Sequence, residues 1–548
     1  MSSGVQTGPA SAAARIALVA DEGSFEAWDA DVVSDDPLGF SDTKPYRERL
    51  AAAREATGLG EAVLTGRARI DGRPFVVVAG EFGFLGGSIG VATAERVARA
   101  FERALTERLP LVALPASGGS RMQEGTLAVV GMAKLAAAAG RLRAAGLPYV
   151  VCLTHPTMGG VLASWGSLGT VTFALPGAVT GFAGPRVVEL LTGRALSSRV
   201  QRAETLLAQG LIDAVVAPDS LRSAVAAVLA VAAGSEGEVT PAAARSAPAA
   251  SPTRAAPTGA PAASVGSACA DSPLLDAHPA TPSTTAHGGT ERRDAWASLQ
   301  HVRDRRRPGA GAVLDVLATD VTVLRGARDG HPDDPACFAA FACVVDRPVV
   351  VIAQRRRGDG TPAVMNASGY RKARRAMALA AELGLPLVTI VDTPGAELSE
   401  EAERGGLAGE IAGCLADMAA LPVPTVAVLL GEGGSGGALA LLAADRVLAA
   451  EHASLGVIAP EGASAILYRD VDHAAELAAT QGGASWQLLD AGIVDALIAE
   501  PRPAHEQPEA FAAAVGAALA TALAELGALD PSARLADRHR RWRTIGAA

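Results

Sequence analysis

Residues 425–441 read TVAVLLGEGGSGGALAL. The run 425–430 follows Pro424, is apolar and contains several β-branched side chains, which predicts a buried strand. Gly431-Glu432-Gly433-Gly434-Ser435-Gly436-Gly437 comes next, and Ala438 and Leu439 then restart a helical pattern. Glycine at a strand-to-helix turn lets another group approach the backbone closely. The first amides of a helix have no partner inside it, so such a turn can hold an anion or a developing oxyanion. A plain tight turn in an α/β protein fits this stretch equally well, and the rest of the chain decides between the two.

The chain has 548 residues, too many for one ordinary core, so more than one domain is expected. Apolar residues make up 49% but aromatics only 4%, so Ala, Val, Leu and Gly carry the hydrophobicity, a mix suited to helices and parallel strands. A net charge of −10 argues against nucleic acid as a partner. Cys152, Cys269, Cys337, Cys343 and Cys414 form no C-x-x-C pair, which argues against a disulfide framework or a zinc ribbon and fits a reducing cytoplasm. The first residues lack the basic start and apolar core of a signal peptide, and no uninterrupted apolar run of spanning length is read. A cytoplasmic protein without a membrane partner is therefore expected.

Residues 1–15 read as a disordered N-terminus. In the first domain, 16–234, a helix opens at Pro45. Lys44, Arg47 and Arg49 beside it form either solvated surface or a contact for a phosphate-bearing ligand. Strands at 74–79, 111–114 and 149–153 alternate with helices at 93–107, 125–145 and 185–191, the mark of βαβ units. Residues 235–290 are rich in Ala, Pro, Ser and Thr without a period and read as a disordered linker. A second domain, 291–548, resumes the α/β texture. It ends in an Ala-rich helix at 506–526 and a charged segment at 533–542.

The two domains repeat each other. Pro110 and Pro148 each open a strand that runs into a glycine turn, Ser117-Gly118-Gly119 and Met158-Gly159-Gly160. Pro386 and Pro424 do the same, into Thr393-Pro394-Gly395 and Ser435-Gly436-Gly437. The two prolines are 38 residues apart in both halves. Arg73-Pro74 echoes Arg347-Pro348, Gly184-Pro185 echoes Ala459-Pro460, and Ile212-Asp213-Ala214 echoes Val494-Asp495-Ala496. Two facing copies would offer two oxyanion-binding turns. No Ser–His–Asp set, metal-ligand cluster or phosphate-loop motif accompanies them.

The first half resembles the β subunit of the acetyl-CoA carboxylase carboxyltransferase, through DEGSF (21–25), EFGFLGGSIG (81–90), ASGGSRMQEG (116–125), THPTMGGVLAS (154–164) and GFAGPRVVE (181–189). The second resembles its α subunit, through GYRKARRAM (369–377), DTPGA (392–396), GEGGSGGALA (431–440) and APEGASAIL (459–467). The resemblance implies two tandem crotonase-like (ClpP/crotonase) α/β domains. It implies transfer of a carboxyl group from carboxybiotin, on a biotin carboxyl carrier protein, to acetyl-CoA, giving malonyl-CoA. It also implies a separate biotin carboxylase and at least a homodimer with sites between chains, while the linker is long enough for the two halves to pair within one chain instead.

By the same resemblance, Gly118, Gly119 and Ser120 match the thioester oxyanion site, and Gly436, Gly437 and Ala438 the site for the ureido oxygen of biotin. Gly159, Gly160 and Gly395 occupy equivalent turns. Arg121 and Arg186 beside them are either ligand contacts or structural. Replacing Gly437 by Val is expected to abolish turnover and leave the fold intact. Two departures stand out. The family's four-cysteine ribbon has no counterpart before Asp21, so no zinc is expected. The residues after Ala396 read Glu397-Leu398-Ser399-Glu400-Glu401 where a glycine-containing loop is expected, which bears on acyl-CoA choice. Acyl-CoA decarboxylation on the same sites and a non-catalytic scaffold are the alternatives.

Overall fold

The computed structural model describes residues 10–233 and 294–546. The expected linker, 235–290, lies outside the described residues. Of the described residues, 10–231 and 294–546 belong to one compact unit built on two mixed sheets. The first sheet runs Glu26–Trp28, Val63–Ile70, Arg73–Gly80, Leu111–Leu114, Tyr149–Leu153, Val171–Ala174, Ala214–Val215 in spatial order. The second runs Ala318–Val323, Cys337–Val344, Arg347–Gln354, Leu387–Thr393, Thr425–Gly434, Arg446–Ala450, Ala496–Ile498. In both, the first three strands pair antiparallel and the rest are parallel. The parallel strands are apolar runs because helices cover both faces.

The repeat holds at the level of single hydrogen bonds. The Val76 amide donates to Pro110 O and that of Val350 to Pro386 O, both at 2.9 Å. Leu111 donates to Pro148 O at 3.0 Å, and Leu387 to Pro424 O at 2.8 Å. Proline works at these positions because a strand entry can lack a donor while its carbonyl still joins the ladder. The paired aspartates also match. Asp213 accepts from the Thr172 amide at 2.7 Å, and Asp495 from the Val447 amide at 2.6 Å.

The helix Gly125–Ala144 sits where the halves meet. It packs on Val91–Glu107 of its own half and on Leu407–Ala420 of the other, and a single buried apolar cluster spans both. Small residues let the helices come close: a Cβ on Gly131 would stand 3.1 Å from Ala94 Cβ. This helix and Pro508–Gly527 are long and apolar enough to cross a membrane by composition, and 78% of the first one's apolar window is buried within the fold.

The start of the described chain departs from the sequence reading. Residues 12–15 are not disordered: Ser11 caps the helix Ala12–Ala17, and Arg15 is 2% exposed. Its guanidinium donates to Gly80 O at 2.9 Å and to Thr154 Oγ1 at 3.0 Å. At the other end, the charged segment is the helix Pro531–Thr544. Arg538, 1% exposed, grips Asp445 through two 2.7 Å bonds, and Trp542 Nε1 donates to Ala444 O at 3.0 Å. Arg543 crosses to the first half, with bonds of 2.6 and 2.8 Å to Glu95 and 2.7 Å to Glu102. Burial alone would raise the Glu95 pKa, but Arg543, Arg99 and Lys134 bring it down to about 2.

Candidate active site

The glycine turns of both halves meet at a cavity of about 200 Å³. Gly118, Gly119, Ser120, Gly159 and Gly160 form its wall on one side, and Pro394, Gly395, Ala396 and Ser435 on the other. Phe182, Val187, Leu191, Leu398, Ile458 and Ile466 make up much of the remainder. None of the lining side chains is ionisable. Both halves reach this cavity within one chain.

The equivalent turns are braced alike. The Gly119 amide donates to Ser117 Oγ at 3.0 Å, and the Gly395 amide to Thr393 Oγ1 at 3.3 Å. The two hydroxyls donate back, to Gly119 O at 3.4 Å and to Gly395 O at 2.6 Å. Gly119 and Gly395 take φ of 120° and 152°, conformations that a side chain disfavours. A Cβ on Gly395 would meet nothing within 4 Å, and one on Gly118 only Gly86 O at 3.5 Å, so these turns leave open space.

This bracing corrects part of the first oxyanion site. The Gly118 amide is spent on Gly86 O at 2.8 Å and the Gly119 amide on Ser117 Oγ. They shape the turn and do not donate into the cavity. The Ser120 amide has no hydrogen-bond acceptor among the described residues, while its neighbours pair with Ile89: Ile89 N–H to Gly119 O and Arg121 N–H to Ile89 O, both 2.8 Å. Gly160, beside it, belongs to the first turn of the short helix Gly159–Leu162. A Cβ there would stand 2.5 Å from Ser120 Oγ, so a side chain at 160 would push the Ser120 hydroxyl out of place.

The second turn reaches the cavity through Ser435, which holds the left-handed conformation at φ 53°. That conformation costs a non-glycine residue ~1 kcal/mol. Gly436, Gly437 and Ala438 open the helix Ser435–Leu439 behind it and are buried outside the cavity wall. Gly437 O accepts from Tyr370 Oη at 2.9 Å and Gln354 Nε2 at 3.1 Å. A Cβ on Gly437 would stand 2.7 Å from Ala396 N and 2.9 Å from Gly395 C. Its replacement by Val therefore breaks packing, contrary to the expectation of an intact fold. Just before the turn, Glu432 is held by Arg303 through bonds of 2.7 and 3.0 Å, which ties the segment after residue 293 to the site.

The predicted basic contacts separate. Arg121 does not reach the cavity: it is fully buried and pairs with Glu61 at 2.6 Å and Glu124 at 3.2 Å. Desolvation lowers its pKa, but these carboxylates outweigh that and leave it raised. Burial likewise pushes Glu61 up, and Arg121 more than offsets it, holding that carboxyl below the usual range. Arg121 thus braces Ser88 and the first turn of the helix Val91–Glu107 behind the turn. Lys44 and Arg47 are exposed and off the cavity wall, and Arg47 Nε lies 4.0 Å from Asp36. Arg186 is exposed on the helix Pro185–Thr192, beside the cavity-lining Val187.

Sequence reading missed Glu403. From the helix Glu400–Arg404 of the second half it accepts the Phe182 amide at 2.9 Å, the Ala183 amide at 3.3 Å and Gln201 Nε2 at 2.7 Å. It pins the 182–184 wall of the cavity. Burial pushes its pKa up, and these hydrogen bonds only partly offset the rise. In the sequence it is one acid in the run EEAER, with nothing to mark it.

Comparison with known proteins gives two family matches. Residues 14–251 match the carboxyl transferase domain, and residues 285–546 the acetyl co-enzyme A carboxylase carboxyltransferase-like family. The probable biotin-dependent acyl-coenzyme A carboxylase beta3 subunit of Mycobacterium tuberculosis is 46% identical over 96% of this chain and 97% of its own length. The acetyl-coenzyme A carboxylase carboxyl transferase subunits beta/alpha of Salinispora tropica are 42% identical over 98% of this chain and 91% of theirs. Those of a Parafrankia species are 43% identical over 97% and 85%. With a β-type and an α-type half in one polypeptide, the chain belongs to the acyl-CoA carboxylase carboxyltransferase family.

Proposed function

We propose that this chain is the carboxyltransferase of an acetyl-CoA carboxylase, moving a carboxyl group from carboxybiotin to the α-carbon of acetyl-CoA. The supporting observation is a cavity shared by two copies of one turn and free of ionisable lining side chains. Proton loss from a thioester's α-carbon places charge on its carbonyl oxygen. A preorganised amide donor aimed at that charge contributes roughly 3–4 kcal/mol. The Ser120 amide is the donor for it, with the Gly160 amide beside it. The ureido oxygen is assigned to the helix start at Ser435, the residue of this turn that lines the cavity, with Gly436, Gly437 and Ala438 forming the first turn behind it.

The residues present suit biotin: the open space at Gly395 admits a flat ring, and Leu398 and Ile458 supply apolar walls. Bound there, carboxybiotin would supply the carboxyl group, and the ring nitrogen set free when that carboxyl leaves would supply the base that the walls lack. The chain's own part is to hold both ligands, exclude water and stabilise charge at two oxygens. Lys134 and Lys372 are 4% and 3% exposed, and Lys44 follows Thr43, so no lysine here suits a biotin attachment site. A separate biotin carrier protein and biotin carboxylase in the cytoplasm complete the system. The chain is expected to act as at least a homodimer, which its mass in solution by light scattering tests.

Relatives at 42% and 43% identity carry an acetyl-CoA name, while the 46% relative names only an acyl-CoA. Comparing acetyl-, propionyl- and butyryl-CoA, with carboxylase and biotinylated carrier supplied, decides among them. Acetyl-CoA is expected to give the highest kcat/KM, through malonyl-CoA formation that requires the carrier. Preference for a longer acyl chain would overturn the acetyl assignment, and no turnover with any of them would overturn the carboxyl-transfer reading. Malonyl-CoA loss without carrier would favour decarboxylation.

A further inference from the structure

A second hollow, of about 320 Å³, lies where the strand Arg446–Ala450 begins. That strand runs parallel to Thr425–Gly434, with Arg446 beside Val426, so the hollow is at the opposite end of the sheet from the glycine turns. Five arginines and two aspartates line it. Asp445 is already committed to Arg538 and to Thr425, whose amide and hydroxyl lie at 2.8 and 3.0 Å. Asp537 pairs with Arg540 at 2.7 Å. Asp495 pairs with Arg541 at 2.5 Å, and Asp530 faces Arg534 from the start of the same helix.

Two of the guanidinium groups are fixed but not satisfied. Arg534, 4% exposed, donates to Pro422 O, yet its buried Nε has no hydrogen-bond partner and stands 3.6 Å from Asp445. Arg541 donates to Ile493 O at 2.7 Å and to Asp445 O at 3.1 Å, and its buried Nε is also without a partner. Arg446 and Arg540 stand at the rim, and Leu526 and Leu529 add an apolar patch. The guanidinium groups that face the hollow, those of Arg446 and Arg540 at the rim above the immobilised Arg534 and Arg541, match phosphoryl oxygens, which take charge-assisted bonds from arginine. The volume is in the range of a small organic ligand and larger than a lone phosphate needs.

We infer that this hollow binds a phosphorylated small molecule, with phosphoryl oxygens at the arginines and the rest of the ligand over the leucines. The inference is independent of the carboxyl-transfer reading. Calorimetry on the full-length protein with inorganic phosphate, pyrophosphate and ADP tests it. The comparison is with an Arg446→Ala/Arg540→Ala double variant whose unliganded Tm is measured alongside. Saturable binding of pyrophosphate or ADP is expected, at least tenfold weaker in the variant at an unchanged Tm. Tighter binding of ADP, weakened selectively by Leu529→Asp, would identify a nucleoside phosphate. Equal binding of ADP and pyrophosphate would identify the phosphoryl group alone as the determinant. No saturable binding by any of the three, or equal affinity in wild type and double variant, would overturn the proposal.

Discussion

The turn at 117–120 and the turn at 393–396 are the same device in two copies. Each has a hydroxyl that receives the glycine amide two residues on and returns a hydrogen bond to that glycine's carbonyl. The turns that follow them differ. Gly159 and Gly160 lie on the cavity wall, whereas Gly436 and Gly437 are packed behind Ser435, Gly436 against Met132 and Ile411 and Gly437 against Gly395 and Ala396. One half presents its glycines to the ligand and the other uses them to let two turns touch. A glycine motif thus encodes close approach, and the tertiary partner decides whether the approaching group is a ligand or the protein's own backbone.

Gly437→Val tests this contrast most severely. Its Cβ would press on the backbone of Gly395 and Ala396, which cannot yield as a side chain can. Turnover should vanish, and urea unfolding should show a loss of about 3 kcal/mol. A variant as stable as wild type would mean the turns do not touch. Gly119→Ala should separate function from packing better, because its Cβ would find Gly159 Cα at 3.5 Å, an ordinary contact. The strained φ of 120° should cost about 1–3 kcal/mol, and displacing Ser120 should lower kcat by about 100-fold.

The two hydroxyl braces should be weaker and similar. Ser117→Ala and Thr393→Val should each lower stability by about 1 kcal/mol in thermal unfolding. A much larger loss at one would show that the copies are not equivalent. The smallest effect concerns the clasp between the halves. The Glu95 pKa falls from 4.5 unfolded to about 2 folded, so its contribution is full above pH 4.5 and is lost as pH falls towards 2. Tm measured over that interval should fall less steeply for Arg543→Ala than for wild type.

Much of the fold is legible in the sequence because strand, turn and helix each leave a local mark. Proline before an apolar run and glycine after it bracket four parallel strands, and their equal spacing exposes the duplication. The cavity is legible as far as the motifs carry it. The commitment of the Gly118 amide is not, because its acceptor, Gly86 O, belongs to a separate loop. Buried charge is hidden for the same reason. Arg121 could be a ligand contact until Glu61 is placed 2.6 Å away, and Arg15 is unremarkable until Thr154 reaches it from 139 residues along the chain. Glu403 is the converse, an acid in a charged run whose use appears only when the 182–184 loop is brought to it.

The closing helix, Pro531–Thr544, grips Asp445 through Arg538 and reaches Glu95 and Glu102 through Arg543. With the shared core around Gly125–Ala144, it makes the peptide connection between the modules mechanically redundant. A backbone cut anywhere from 234 to 293 should leave two fragments that co-purify and keep their joint cavity. One polypeptide or two would then be a matter of how the parts are supplied, with the assembled machine unchanged.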